Sequence, residues 1–281
     1  MKVALVQLEP VYGDIDASCQ RADELLSEFS EASNVDLVVL PEMALTGYQF
    51  KSKEHILPLA EVEGEGKTFH WASKVSRKLK SGVCCGYVRK DKSSGLLFNS
   101  MIVVNPKGEF VTSYDKHFLY ETDKTWASPG AGFVSLELDW IDAKIGLGIC
   151  MDINPFDFTA PFSAFEFSNF HKANKSEVII FSSAWCNRHP GDLKESEING
   201  VETIQYWCTR LYPLIGQDVY FVIADRVGSE PLSNYREEAK GRVSFCGSSC
   251  VLNLKHPSLV ACLDTKEEGV LVVDIPVVPP A

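Results

Sequence analysis

Short apolar runs separated by turn residues recur along the whole chain and constrain its fold more than any other feature. Their lengths and turn-rich borders are typical of strands. Strands are predicted at Lys2–Leu8, Asp36–Leu40, Gly82–Val88, Leu97–Val104, Glu109–Ser113, Phe133–Leu138, Ala143–Ile149, Glu177–Ser182, Val219–Ala224, Val243–Leu252, Leu259–Cys262 and Val270–Ile275. Helical spacing predicts helices over Ala17–Ser33, with Asp16 as its cap, and over Gly66–Lys80 and Gly200–Leu211. Many strands with interleaved helices indicate a layered α/β fold.

No linker or internal repeat divides the chain of 281 residues, so a single domain is the simplest prediction. We place this domain at residues 1–275 and treat Pro276–Ala281 as a short C-terminal tail. The polar segment Pro231–Glu238 is predicted to be a mobile loop.

Composition argues against several classes of function. The formal net charge is −11, whereas a nucleic-acid partner requires a basic face. No apolar run approaches the ~20 residues of a membrane span, and the first run turns polar at Glu9 too early for a signal peptide. The nine cysteines are odd in number and lack metal-like pairing, which favours reduced thiols and no metal or other cofactor. We therefore expect an intracellular, cytoplasmic protein.

Cys150 ends an apolar run, and a thiol at the end of a buried strand can act as a nucleophile if a neighbour removes its proton. A lone cysteine is more often a packed core residue. The functional interpretation therefore depends on Glu42 and Lys116, which lie at comparable strand ends. Gly146 and Gly148 are expected to let the chain turn sharply beside the thiol.

These motifs together resemble the nitrilase, or carbon–nitrogen hydrolase, superfamily. The stretches that carry the resemblance, in the family's order, are Leu40–Tyr48, Tyr114–Phe118, Gly146–Asp152, Ser183–Trp185, Val222–Gly228 and Phe245–Ser249. The resemblance covers nearly the whole chain. It implies a nitrilase-like α-β-β-α layered sandwich and an activity that hydrolyses amides.

The resemblance also implies a role for each of three residues. An unassisted thiol has a pKa near ~8.5 and is mostly protonated at neutral pH. Glu42 would take the proton of Cys150 and pass it to departing ammonia, while Lys116 would favour the thiolate and stabilise the oxyanion. A thioester would form on Cys150, and water activated by Glu42 would release the acid.

Three further residues are candidates for supporting roles. Glu121 matches the second glutamate that family members often carry after the lysine, where it orients substrate or water; a surface acid is the alternative. Trp126 either walls the pocket or belongs to the core. Trp185 lies in one of the stretches that fit the family pattern.

The segment after the cysteine narrows the substrate. Its Cys-Met-Asp-Ile-Asn-Pro run and its Phe-rich continuation as far as Phe167 look like those of the protein N-terminal amidase branch. That branch converts amino-terminal Asn and Gln to Asp and Glu and feeds the amino-end degradation pathway. The implied partners are peptides or proteins with a free N-terminal Asn or Gln, bound by a monomer or a homodimer.

A free α-amino group is cationic, so its pocket should hold a carboxylate. Asp225 stands where many superfamily members have Asn and adds a negative charge near the expected pocket. Its alternative role is a salt bridge to Arg226 or Arg242. The other acidic candidates are Asp152, Asp123 and Glu121. For Asp152 the alternative, which we favour, is a structural acceptor of hydrogen bonds in the turn after Cys150.

Two other functions stay open. One is a small-molecule amidase of the same superfamily, such as an ω-amidase or a carbamoylase. The other is a non-catalytic binding protein that keeps the fold, against which the intact set of Glu42, Lys116 and Cys150 argues.

Overall fold

The structure, a computed structural model, describes residues 1–187, 200–231 and 241–276, which form packed sheets with helices outside them. The strands in chain order are β1 (Lys2–Gln7), β2 (Leu37–Val39), β3 (Glu61–Val62), β4 (Gly82–Lys90), β5 (Leu97–Val104), β6 (Phe110–Asp115), β7 (Val134–Leu138), β8 (Ile141–Ile149), β9 (Val178–Ser183), β10 (Tyr220–Asp225), β11 (Ser229–Pro231), β12 (Arg242–Ser244), β13 (Cys250–Asn253), β14 (Ser258–Cys262) and β15 (Gly269–Asp274). The helices are α1 (Ile15–Leu25), α2 (Lys53–Ile56), α3 (Lys67–Leu79), α4 (Glu166–Ala173) and α5 (Gly200–Arg210).

Two mixed sheets form the centre of the molecule. The first has the order β15-β1-β2-β4-β5-β6, with β3 also paired to β4, and the second has the order β14-β13-β10-β9-β8-β7. Strands β11 and β12 pair separately as a two-stranded sheet. The last strand, β15, runs antiparallel beside the first, with Val3 opposite Val273, so the two ends of the described chain meet at one edge.

Alternation of side chains along the strands explains the layers. In β1, Val3 and Leu5 belong to the core shared with the second sheet, whereas Ala4 and Val6 pack with residues of α1 and α3. Successive side chains of a strand point to opposite faces, so a strand that is apolar throughout is buried on both faces. On the other side of the molecule, α4 and α5 cover the second sheet through Phe167 and Trp207. The predicted α-β-β-α sandwich is therefore confirmed.

Gly146 and Gly148 make room for a helix rather than turning the chain, so that expectation was wrong. Both lie inside β8. A Cβ on Gly146 would lie 2.5 Å from His171 Nδ1, and one on Gly148 would lie 2.6 Å from the Phe167 ring. The glycines thus allow α4 to approach the strand closely. The turn itself falls on Cys150, whose φ is 41°.

Other local predictions also differ from the structure. Helix α1 begins at Ile15 and ends at Leu25, and its cap is Asp14, whose Oδ1 accepts from Ala17 N at 3.0 Å, rather than Asp16. The predicted strand Val243–Leu252 is interrupted, because Gly247 and Ser248 have φ values of 52° and 61° that a strand does not accommodate. Helix α4 was missed, because its residues were interpreted only as part of the Phe-rich segment.

Parts of two predictions lie outside the described residues. The predicted loop Pro231–Glu238 is described only at Pro231, where β11 ends, and the predicted tail only at Pro276. Ile275 is buried, and its N–H donates to Met1 O at 2.7 Å. The boundary of the domain at residue 275 stays a prediction. Within the described ranges, no helix combines the length and apolarity that a membrane crossing demands.

Gly86 in β4 holds the backbone on both sides of Glu42. Its N–H donates to Pro41 O at 3.2 Å, and its carbonyl accepts from Ala44 N at 3.1 Å. A Cβ at this position would lie 2.3 Å from Pro41 O and 2.4 Å from Met43 N. The close approach therefore requires glycine, because both contacts are with backbone atoms.

We expect Gly86→Ala to lower the free energy of unfolding by about 1–3 kcal/mol, because the backbone beside it must move. Urea unfolding measures the loss. Gly269→Ala in β15 is the matched control, since its Cβ would come no nearer than 3.7 Å to the Leu263 side chain. Equal stability of the two variants would contradict the assigned contact.

Candidate active site

The two sheets bring Glu42, Lys116 and Cys150 together from three distant parts of the chain. Glu42 lies beyond the end of β2, Lys116 follows β6 and Cys150 follows β8. Lys116 Nζ lies 2.6 Å from Glu42 Oε1, and both side chains are fully buried. Cys150 is 8% exposed, and its thiol lies close enough to both groups for them to act on its pKa. The predicted constellation forms one buried site.

Backbone strain coincides with this site. Cys150 has a φ of 41°, and Met43, which follows Glu42, has a φ of 48°. Left-handed conformations cost roughly 1–2 kcal/mol for residues other than glycine and persist only where the surroundings impose them. At Cys150 the strained residue begins the short 3-10 helix Cys150–Ile153 directly after β8. The chain thus turns at the thiol itself.

Lys116 is shared between two buried carboxylates. Its Nζ lies 2.6 Å from Asp123 Oδ2 as well as from Glu42 Oε1. Asn99 Nδ2 donates to both acids, at 2.7 Å to Glu42 Oε1 and 3.0 Å to Asp123 Oδ1. Backbone N–H groups complete the set, from Ala184 to Glu42 Oε2 at 2.8 Å and from Tyr120 to Asp123 Oδ2 at 2.9 Å. The carboxylates are thereby held rigidly around the ammonium group.

Burial and charge set the protonation of this cluster. Burial raises the pKa of Glu42, and the nearby Asp123 adds to the rise while Lys116 opposes it. Burial alone would lower the pKa of Lys116, but Asp123 and Glu42 raise it well above its ordinary value. Glu42 is therefore suited to exchange a proton, whereas Lys116 stays charged.

The thiol is neutral at rest. Burial and the Glu42 carboxylate raise the pKa of Cys150 well above its ordinary value, and Lys116 only partly opposes them. The expected stabilisation of the thiolate by Lys116 is thus present but outweighed. If Cys150 acts as a nucleophile, it must lose its proton during the reaction, and Glu42 is a neighbouring group that can accept it.

Asp152 holds the turn after Cys150. Its Oδ1 accepts from the N–H groups of His117 and Phe118 at 3.0 and 2.8 Å, and its Oδ2 accepts from Ile149 N and Tyr114 Oη, each at 2.8 Å. Burial raises the pKa of Asp152 to about 6 despite these donors. Both oxygens are occupied, which supports the structural role that was favoured from the sequence.

The second acid of the cluster is Asp123 and not Glu121. Glu121 is exposed, and none of the contacts around Lys116 involves it. Asp123 is fully buried, and both of its oxygens are used by Lys116, Asn99 and Tyr120 N. The oxygens of Asp123 are thus taken up within the cluster, and Glu121 lies outside it.

Asp225 keeps one oxygen available. Its Oδ1 accepts from Trp185 N at 2.8 Å and from Arg226 N at 3.0 Å. Its buried Oδ2 accepts no hydrogen bond from the described residues. Neither of the alternative salt bridges forms, because Arg226 pairs with Glu230 and Arg242 bonds to Ser229. Burial raises the pKa of Asp225 well above its ordinary value, and Glu42 adds to the rise, while hydrogen bonding from Trp185, Arg226 and the Ser183 side chain opposes it.

The two tryptophans occupy different surroundings. Trp126 is buried in an apolar cluster with Met43, Tyr48 and Phe50, and Met43 directly follows Glu42. Trp185 lies directly after Ala184, whose N–H holds Glu42, and its ring centroid is 5.7 Å from that of Tyr206. Trp126 thus belongs to the apolar core beside the site. Trp185 lies next to Asp225, to which its backbone N–H donates.

Sequence reasoning missed Asn99 and Tyr48. The available signal for Asn99 was a polar residue inside an otherwise apolar strand run. Tyr48 places its ring 5.6 Å from Lys116 Nζ, and its buried hydroxyl has no hydrogen-bond partner among the described residues. Such an unsatisfied hydroxyl is available to a ligand. Across the described ranges, no group of three or more His, Cys, Asp or Glu residues could hold a metal ion.

We expect Asp123→Asn to lower kcat for amide hydrolysis by about 100-fold, because Lys116 loses the charge that fixes its position beside the reacting atoms. Steady-state kinetics measures the effect. Glu121→Gln is the matched control, since it removes an acid two positions away that lies outside the cluster. A larger loss in Glu121→Gln than in Asp123→Asn would reverse the assignment.

Known proteins share both the motifs and the fold. The profile of the carbon–nitrogen hydrolase family matches residues 2–158. The protein N-terminal amidase of Schizosaccharomyces pombe is 34% identical over 292 residues, which span 97% of this chain and 98% of that protein. The protein N-terminal amidase of Saccharomyces cerevisiae is 34% identical over 207 residues, which span 66% of this chain and 45% of that protein.

A crystal structure of an N-terminal amidase with an Asn-Glu-Ala peptide has the same fold. Its TM-score is 0.81 at 21% identity, with 98% of this chain and 97% of that chain covered. The shared fold and the matched family profile agree with the superfamily predicted from the glutamate, lysine and cysteine motifs. The chain belongs to the carbon–nitrogen hydrolase family and is a hydrolase of carbon–nitrogen bonds.

Proposed function

We propose that the protein hydrolyses the side-chain amide of an N-terminal Asn or Gln in peptides or proteins, releasing ammonia and leaving Asp or Glu. The observation that carries the proposal is the buried Asp225 carboxylate, with its unpartnered Oδ2, beside the Glu42–Lys116–Cys150 cluster. Relatives that are 34% identical are protein N-terminal amidases. Their activity supports the same assignment here.

The geometry supports an amine site beside the reaction site. Consecutive backbone amides hold the two acids, Ala184 N on Glu42 Oε2 and Trp185 N on Asp225 Oδ1, each at 2.8 Å. An N-terminal residue carries its α-amino group a short distance from its side-chain amide. We assign Asp225 to the α-amino group, because a buried carboxylate without a cationic partner favours a cation.

The net charge of the buried cluster also supports a cationic substrate. When ionised, Glu42 and Asp123 contribute two negative charges and Lys116 one positive charge, so the buried cluster carries a net charge of −1. A cationic substrate is attracted to such a site, whereas an anionic small molecule is repelled. This favours a substrate with a free α-amine over an anionic small molecule.

The proposed reaction proceeds through a thioester on Cys150. Glu42 takes the thiol proton as sulfur attacks the amide carbon, and the oxyanion forms beside Lys116. An ammonium group has three N–H donors, and two of those of Lys116 are used by Glu42 and Asp123, which leaves the third for the oxyanion. Glu42 then gives its proton to the departing ammonia.

Hydrolysis of the thioester repeats the proton transfers. Glu42 takes a proton from water, the hydroxide attacks the thioester carbon, and the thiol regains its proton as the carboxylic acid leaves. The product is a chain that begins with Asp or Glu. We propose that this product enters the amino-end degradation pathway inside the cell, in the cytoplasm.

Peptides that begin with Asn or Gln are expected to gain ~1 Da on incubation with the protein, because an amide becomes an acid. Mass spectrometry detects the change. Cys150→Ala should abolish turnover but retain peptide binding, since the pocket survives. Preference for free glutamine or carbamoyl-amino acids over these peptides would favour the small-molecule alternative, and full activity of Cys150→Ala would end the mechanism.

Asp225→Asn should lower kcat/KM by about 10–100-fold for peptides with a free α-amine, because a charge-assisted hydrogen bond is lost. Asn preserves the Oδ1 acceptor for Trp185 N and Arg226 N. The control substrate is the matched peptide whose first residue lacks the α-amino group. An equal effect on both substrates would remove Asp225 from the amine site.

A further inference from the structure

Three large apolar side chains, those of Phe156, Phe158 and Phe162, are exposed in the segment that follows Cys150, and the first two pack against residues that adjoin the candidate active site. Phe156 is 54% and Phe158 is 50% exposed. Single exposed apolar residues are common on soluble proteins, but aromatic residues grouped at a functional site more often mark a contact surface. These two lie near each other in sequence and next to the candidate active site, so their exposure calls for a functional explanation.

The backbone holds these rings in a strained conformation. Asp157 and Phe158 are consecutive residues with φ values of 55° and 52°, in the region that favours glycine. The Asp157 carboxylate forms an ion pair with Lys124, which anchors the strained turn. Such strain persists only where the surroundings impose it, and it is concentrated at functional positions. The backbone that carries these rings therefore has a specific conformation.

Both rings pack against the segment 118–123, which carries Asp123, the second acid paired with Lys116. The Phe158 ring meets Tyr120 at 6.5 Å between centroids, and Tyr120 N donates to Asp123 Oδ2 at 2.9 Å. The Phe156 ring meets Phe118 at 5.2 Å, and Phe118 N donates to Asp152 Oδ1 at 2.8 Å. Each exposed ring is thus separated from the polar groups of the site by one residue.

We propose that Phe156 and Phe158 form an apolar subsite for the second residue of the substrate chain and favour a bulky apolar side chain there. The inference rests on the proposed function. If the first residue is held by both its α-amine and its side-chain amide, the chain must leave the site at its rim. Consecutive Cα atoms are 3.80 Å apart, so the second side chain comes within reach of groups one residue outside the cluster.

The charged groups nearest these rings are used within the protein. Asp157 and Lys124 neutralise each other at the base of the turn, and Glu166 Oε1 accepts from Phe156 N at 3.1 Å. A charged second residue of the substrate would gain no ion-pair partner from Asp157 and Lys124, which already pair with each other. It would also lose part of its hydration on contact with the rings. An apolar one would bury surface of its own together with that of the rings.

The test uses peptides Asn-X and Gln-X with a common continuation, where X is Gly, Ala, Leu or Phe. For the wild-type protein, kcat/KM is expected to be about 5-fold higher for Leu or Phe than for Gly, the gain typical of partly burying one such side chain. In the Phe156→Ala/Phe158→Ala double variant, this ratio should fall to about 1. Thermal unfolding checks that the variant is folded.

Phe162→Ala is the matched control. Phe162 belongs to the same segment and is 51% exposed, but its ring lies 4.5 Å from the Arg210 guanidinium rather than on the segment of Asp123. This variant should keep the wild-type ratio. A ratio that changes equally in Phe162→Ala and in the double variant would overturn the subsite.

Further outcomes distinguish failure of the subsite from failure of the proposed function. The subsite would be overturned by a wild-type kcat/KM ratio near 1, or by an unchanged ratio in the double variant. Hydrolysis of the Asn-Gly peptide would still support the proposed function in either case. If the ratio is unchanged and analytical ultracentrifugation shows that the double variant loses a dimer, the surface is an interface between copies of this chain. If no Asn or Gln peptide is hydrolysed, the proposed function and the subsite both fail.

Discussion

One buried lysine shared by two buried carboxylates is the interaction on which the site depends. Ions removed from water are stable only when they are paired and their remaining hydrogen bonds are satisfied. Lys116 meets this condition through Glu42 and Asp123, whose remaining oxygens accept from Ala184 N and from Asn99 Nδ2, respectively. Removal of one partner from a buried pair typically costs about 3–5 kcal/mol. The cluster therefore tolerates little displacement.

The same polar contacts fix the two sheets relative to each other. Glu42 and Lys116 extend from the first sheet, whereas Ala184 and Cys150 extend from the second. The bond from Ala184 N to Glu42 crosses between the sheets, as does that from Ser182 Oγ to Leu40 O at 2.7 Å. Apolar packing is non-directional, but these bonds define one register between the layers. The fold and the catalytic geometry thus depend on each other.

Sequence patterns predicted the layers and the three central residues because strand-length apolar runs end at each of them. They could not distinguish Glu121 from Asp123, since both are acids in one turn and only the folded backbone decides which is buried beside Lys116. The glycines of β8 posed a similar difficulty. A glycine that admits a helix and a glycine that permits a turn look alike until the position of α4 is known.

The charge of the site connects its resting state with the proposed substrate. Burial and the Glu42 carboxylate keep the Cys150 thiol protonated, because together they raise its pKa by more than Lys116 lowers it. On the proposed function, an α-ammonium group beside Asp225 would add a positive charge to these surroundings. Added positive charge favours the thiolate. The negative charge that helps to keep the thiol protonated is then the same property that attracts the substrate able to activate it.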